Sequence, residues 1–167
     1  MCRDNLNKDA LMTLYYSLVY SNLIYCISIW GGTLHKHTSI LFSAQKRTVR
    51  AISFMKKMDS ISNKLLELKM LNLHHIYKLF CALLIFKFRN FGYCKSIYSR
   101  LHHNHATRGV NNNMIIPLAR TSWFSKSVIV NPPKIWNNLP RRLKIINNLH
   151  SFKLNLKKCL LNCQANP

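Results

Sequence analysis

The chain has 167 residues, 49% of them hydrophobic, and carries 25 Lys and Arg against 4 Asp and Glu, a formal net charge of +21. Such a length suits one domain, or one and a small satellite, and buries roughly 70% of the unfolded surface, enough for a packed core. The only acids, Asp4, Asp9, Asp59 and Glu67, are scattered with no Asp-Asp pair, so the chain by itself lacks the carboxylates for two-metal nucleotidyl transfer or for glycoside hydrolysis.

Residues 10–35 carry no formal charge. The apolar stripe Leu11, Leu14, Leu18 with Tyr15 and Val19 predicts a buried helix. Ser21-Asn22 reads as a break, followed by a second short helix over Leu23–Trp30 that Gly31-Gly32 ends. Residues 11–30 also admit a membrane anchor, against which stand the polar Thr13, Ser17, Ser21, Asn22 and Ser28. Residues 38–57 predict an amphipathic helix capped by Thr38 or Ser39, with Leu41, Ala44, Thr48, Ile52 and Met55 inward. Lys46, Arg47, Arg50 and Lys57 form its basic face. A short helix over 60–70, capped by Ser60 or Ser62, turns Leu65, Leu66, Leu68 and Met70 inward.

His74–Phe91 is the stretch that must be surrounded. Every residue between Lys78 and Lys87 is apolar, so the helix has no solvent face, yet the run is far shorter than the ~20 residues that span a bilayer. Gly92 ends this central helix, and Cys94–Leu101 predicts one more helical segment. From Glu67 onward sixteen basic groups follow without one acid. A surface of that kind repels itself unless a polyanion covers it, which points to nucleic acid first and an anionic membrane second.

His102, His103 and His105 lie together, but no Cys or acid flanks them at metal-ligand spacing, and the pair Cys159 and Cys163 lacks two further ligands. No metal is assigned. The glycines form no phosphate loop. Asn111–Asn113 predicts a turn. Met114–Leu118 and Ser127–Val130 predict two short strands of a β-hairpin around Arg120–Ser125. Pro132-Pro133 opens a short helix anchored by Ile135 and Trp136. Another begins at Arg141, Arg142 and Lys144, and Ser151 caps the last, whose Gln-Ala-Asn-Pro end is expected to fray. No cleavable signal peptide is visible, and the cysteines are expected as reduced thiols, so the location expected is intracellular, cytoplasm or nucleus.

Six ordered segments over roughly residues 11–161 resemble one known family. They are L-Y-Y-S-L-V-Y-S-N-L-I-Y-C-I-S-I-W-G-G at 14–32, Q-K-R-T-V-R at 45–50, H-N-H-A-T-R at 103–108, P-L-A-R at 117–120, W-N-N-L-P at 136–140 and S-F-K-L-N-L-K at 151–157. The chain is similar to the carboxyl-terminal part of reverse transcriptases, RNA-directed DNA polymerases, from non-LTR retrotransposons of the jockey-like group. The resemblance implies a helical thumb plus a carboxyl-terminal extension, gripping template–primer or template RNA behind the active site. The palm with its paired aspartates and the endonuclease domain are absent from this sequence, and Ala106 stands where the family often has an aromatic. No catalytic residue is therefore carried over, and Mg²⁺ is implied only for the palm.

The sequence thus predicts a mainly α protein: a thumb-like helical bundle over 1–101, then a basic α+β module with a short β-hairpin over 102–167. The expected function is a catalytically silent fragment of a retrotransposon reverse transcriptase, with nucleic acid (RNA or an RNA–DNA hybrid) and the rest of a reverse transcriptase as the expected partners. The candidate phosphate contacts are Lys46, Arg47, Arg50, Arg108, Arg120, Arg141, Arg142 and Lys144, while Trp136 is expected as a packing anchor. The alternatives are a membrane-associated basic protein anchored by residues 11–30, or a decayed element copy without a selected role.

Overall fold

The computed structural model of the protein describes residues 6–101 and 113–165. Arg108 and the histidines His102, His103 and His105 lie outside the described residues. The described chain is mainly helical, in the order α1 (Lys8–Leu14), a π-helical segment (Tyr15–Tyr20), α2 (Ser21–Ile24), α3 (Ile27–Trp30), α4 (His35–Ile52), α5 (Ser62–Glu67), α6 (Leu73–Phe91), α7 (Lys95–Tyr98), α8 (Ser122–Ser125), α9 (Asn131–Asn137), α10 (Arg141–Lys144) and α11 (Leu149–Ala165).

The core is built on α6, as its unbroken apolar run requires. Ten of its residues are buried, and α2, α3, α4, α9 and α11 all pack against it. Asn72 caps its start, its side chain accepting from the His75 amide, and Gly92 ends it in the left-handed conformation at φ +69. That is the αL cap in which a glycine avoids the Cβ penalty. Phe152 of α11 stacks on Phe86 of α6 at 4.4 Å between ring centroids, and Trp136 of α9 lies 5.8 Å from Phe152. Trp136 is thus a packing anchor, as expected. A smaller cluster of Tyr15, Val49, Ile52, Ile61, Leu65 and Met70 fills the space beneath the amino-terminal helices.

Several sequence expectations are corrected. Ser21-Asn22 does not break the first helix. The Ser21 hydroxyl donates to the Ser17 carbonyl and the Asn22 amide to the Leu18 carbonyl at 2.6 Å, so both side chains bond back onto the helix they were read as ending. The break comes at Tyr25-Cys26, with Cys26 at φ 50. The inward stripe there is Tyr15, Leu23 and Ile27, whereas Leu14 and Leu18 are exposed. α4 starts at His35, ahead of Thr38 and Ser39, and has no side-chain cap. It stops at Ile52, and Phe54 takes φ 52, so Lys57 is not on it. α5 is likewise uncapped by Ser60 or Ser62. Asn148, not Ser151, caps α11, accepting from the Ser151 amide at 3.1 Å. Gln164 does not fray: its oxygen accepts from the Asn72 amide at 3.0 Å.

The β-hairpin is not formed, and no strand occurs among the described residues. The carboxamide of Asn137 both accepts from the Met114 amide and donates to the Met114 carbonyl, each at 2.8 Å. One side chain thereby supplies the pair of bonds that a neighbouring strand would have made. The intended hairpin turn is α8, capped by Thr121, whose hydroxyl accepts from the Phe124 amide at 3.2 Å. Ser127–Val130 forms turns leading into α9, with the Asn131 amide bonded to the Ser127 carbonyl. No helix of the described residues is long and apolar enough to cross a membrane.

Candidate nucleic-acid interface

The site is organised by two adjacent rows of residues on α4, spaced by three or four, the spacing that makes side chains neighbours on a helix surface. The buried row runs through Gln45 and Val49 to Ile52. Gln45 is fully buried, and its amide donates to the Tyr15 hydroxyl at 3.1 Å and to the Leu71 carbonyl at 2.9 Å. These two bonds fix the rotation of α4 about its own axis. The stripe expected from sequence, with Ala44 inward, is corrected by one residue: Ala44 is exposed.

In the neighbouring row Phe42 packs against the edge of the core and, with Lys46 and Arg50, lines a groove. Lys46 and Arg50 line a cavity of about 740 Å³ together with Asn72, His74, His75 and Lys78 of α6 and its cap, and with residues of α5 and the end of α11. The Lys46 ammonium sits 4.4 Å from the centroid of the Phe42 ring, a cation–π contact that holds it over the groove. The Arg50 Nε–H donates to the Asp59 carbonyl oxygen at 3.1 Å, which aligns the guanidinium along the rim. The charged groups of the lining are Lys46, Arg50 and Lys78, and it holds no carboxylate. Burial, then the charges of Lys78 and His74, push the His75 imidazole down to about 4, and burial and Lys78 lower His74 as well. Both rings are neutral near pH 7 and offer hydrogen bonds rather than charge.

Of the residues predicted from sequence, Lys46 and Arg50 share this groove. Arg47, next to them in sequence, is exposed on the solvent side of α4 and does not line it. Arg120, Arg141 and Arg142 are exposed elsewhere, Arg120 in the extended segment before α8 and the other two on α10. Lys144 is not on a solvated face. It is buried, donating to the Asn113 side chain at 2.9 Å and the Asn137 carbonyl at 2.7 Å. Burial, with Arg89 and Arg141 nearby, lowers its ammonium from the usual lysine range. The sequence reading missed Lys78, His74 and His75. Their signal was available: one turn of helix apart at the polar entrance of α6, they had to share a face.

Among the described residues no three His, Cys, Asp or Glu side chains come together to hold a metal ion. The described ion pairs, Lys8–Glu67 at 3.7 Å and Lys64–Glu67 at 2.6 Å, both converge on one exposed acid. Comparison with protein-family models, with curated proteins and with solved structures finds no match to this chain.

Proposed function

We propose that the protein is a nucleic-acid-binding, thumb-like portion of a jockey-like retrotransposon reverse transcriptase, which holds template–primer or RNA through its basic surface and performs no polymerisation alone. The observation that carries the binding reading is the α4–α6 groove: three cations, hydrogen-bonding side chains and no carboxylate, in a chain of net charge +21. The retrotransposon origin rests on the six ordered sequence segments. An open reading frame encoding a paired-aspartate palm directly upstream in the genome would support that origin, and unrelated sequence there would oppose it.

Binding through phosphates should be tight at low salt and largely indifferent to sequence, each contact contributing roughly −0.7 to −0.9 to the slope of log affinity against log salt. Changing Lys46, Arg50 and Lys78 together to Gln should flatten that slope by about 2 to 3 in a filter-binding salt series. Changing Lys144 should leave the slope alone. A triple variant with the parent slope would remove the groove from the binding surface.

A further inference from the structure

The row of α4 that faces the basic groove continues beyond it. Phe42, Asn72 and His74 line both the 740 Å³ groove and a second depression of about 260 Å³ that reaches Thr38, Ser39 and Gly31. One helical turn further back, Leu34 and His37 open onto a third, of about 220 Å³, walled by Ile29, Leu34 and Trp123. Leu34 precedes α4 at its cap, and Thr38, Phe42, Lys46 and Arg50 follow at intervals of four, each step ~6 Å along the helix and ~40° around it, so the three depressions wind along α4 over ~24 Å. The far end differs chemically from the basic end. Trp123 of α8 is 80% exposed, and Ile29 and Leu34 are exposed beside it. The other tryptophans are not available in this way: Trp136 is buried in the core, and the Trp30 indole donates to the Tyr25 carbonyl at 2.6 Å.

Gly32 sets α8 in this position. A Cβ there would fall 2.6 Å from the Lys126 carbonyl oxygen and 2.7 Å from the Tyr77 hydroxyl. The bare glycine backbone lets the end of α8 approach the turn between α3 and α4, with Trp123 beside Leu34 and His37 at the start of α4.

We infer that this slot is a base-stacking site and that the groove takes an unpaired nucleic-acid strand, one base lying on Trp123 while the backbone runs along α4 to Lys46, Arg50 and Lys78. The inference rests on the nucleic-acid reading above and narrows it to single strands. The slot lies below the ~300–1,000 Å³ of pockets for drug-sized ligands, which suits one planar ring. Its rim carries Lys126 and His37 and no acid, so the complement is an anionic molecule with a flat apolar face. A nucleotide joins those properties, and aromatic stacking accepts any base because every base has a π-face. A duplex keeps its bases inside and has nothing to lay on the indole.

The test compares a fluorescent oligothymidylate with a duplex of equal length, by anisotropy, on the full chain. Trp123→Ala should weaken single-strand binding about 5- to 150-fold, the range for loss of one stacked base, and leave duplex binding within about twofold. Trp123→Phe should retain most of the single-strand affinity. Because the side chain is exposed, the variants should melt with the parent. Loss of single-strand and duplex binding together in Trp123→Ala, or loss of neither, would overturn the stacking site while the basic groove stands. A parent that binds neither probe would overturn the nucleic-acid reading and this inference with it.

Discussion

At the residue scale, the histidines at the entrance to α6 tie the groove to stability. His75 Nδ1 lies 2.9 Å from the Asn72 carboxamide oxygen, and the ring is held down to about 4 by burial and by Lys78 and His74. A base whose folded value is depressed is protonated more readily in the unfolded chain. Between about 6.5 and 4 the unfolded state therefore binds more protons, and stability rises with pH across that window and is lost as pH falls through it. Glu67, lowered chiefly by the hydrogen bond from Lys64, adds a dependence of the same sign at the acid end, so the histidine contribution is cleanest above about pH 4.5. The melting temperature should climb between pH 4.5 and 6.5, and the double change of His74 and His75 to Gln should flatten most of that climb. A variant with the parent's slope would assign the dependence elsewhere. The spacing in the sequence set Lys78 within one turn of both histidines but did not disclose the burial of the two rings, which is the larger cause of the shift. Nor did it disclose Lys144: in R-R-L-K the charges read as one solvated cluster, but Leu143 turns inward and carries its neighbour beneath Asn113 and Asn137.

At the scale of elements, legibility followed the strength of the local signal. α6 was unambiguous, since a helix apolar all round permits one placement, and Gly92 closes it where the sequence put the end. α4 was found, and Ile52 is inward as expected, but the stripe left out Gln45, whose two buried hydrogen bonds make it an inward residue, and included Ala44, which is exposed. Lys46 and Arg50 were already on the predicted basic face; the residues of α6 that share their groove were not predicted. The hairpin failed for a reason no pattern carries: Asn137, twenty-three residues along the chain, occupies both hydrogen-bonding groups of Met114. The packing of α11 on α6 is testable directly. Phe152 is fully buried and stacked on Phe86 at an interplanar angle of 20°. Replacement of a buried Phe by Ala costs about 3–5 kcal/mol through lost transfer energy and the cavity left behind. Against a total stability of roughly 5–15 kcal/mol, Phe152→Ala should move the urea midpoint far down or leave the chain unfolded. A loss below ~1 kcal/mol, outside the range for such cavities, would show that α11 is peripheral rather than part of the core.

At the scale of the whole molecule, the helical class was legible from periodicity, and the charge imbalance from composition. The consequence of that imbalance for stability needed the structure. Described acids are few, and the ion pairs of described residues meet at Glu67 alone, which is exposed. Attraction between charges therefore contributes little to the folded state, while repulsion acts over the entire surface. Most proteins with balanced charge lose some surface attraction when salt is added. Here the sign should reverse. Raising ionic strength from ~0.01 M to ~0.1 M shortens the screening length from ~30 Å to ~10 Å, which removes repulsion across the molecule but hardly touches contacts at hydrogen-bond range. The melting temperature should rise over that interval in sodium chloride, by ~2–4 °C for each ~1 kcal/mol of repulsion relieved in a chain of this size. The Lys46, Arg50 and Lys78 to Gln variant should start higher at low salt and gain less, because three of the repelling charges are gone. A melting temperature that falls with salt would mean that attraction, through charges not paired in the described structure, outweighs the excess. In that case the groove cations would be partly neutralised within the molecule and less available to a phosphate backbone.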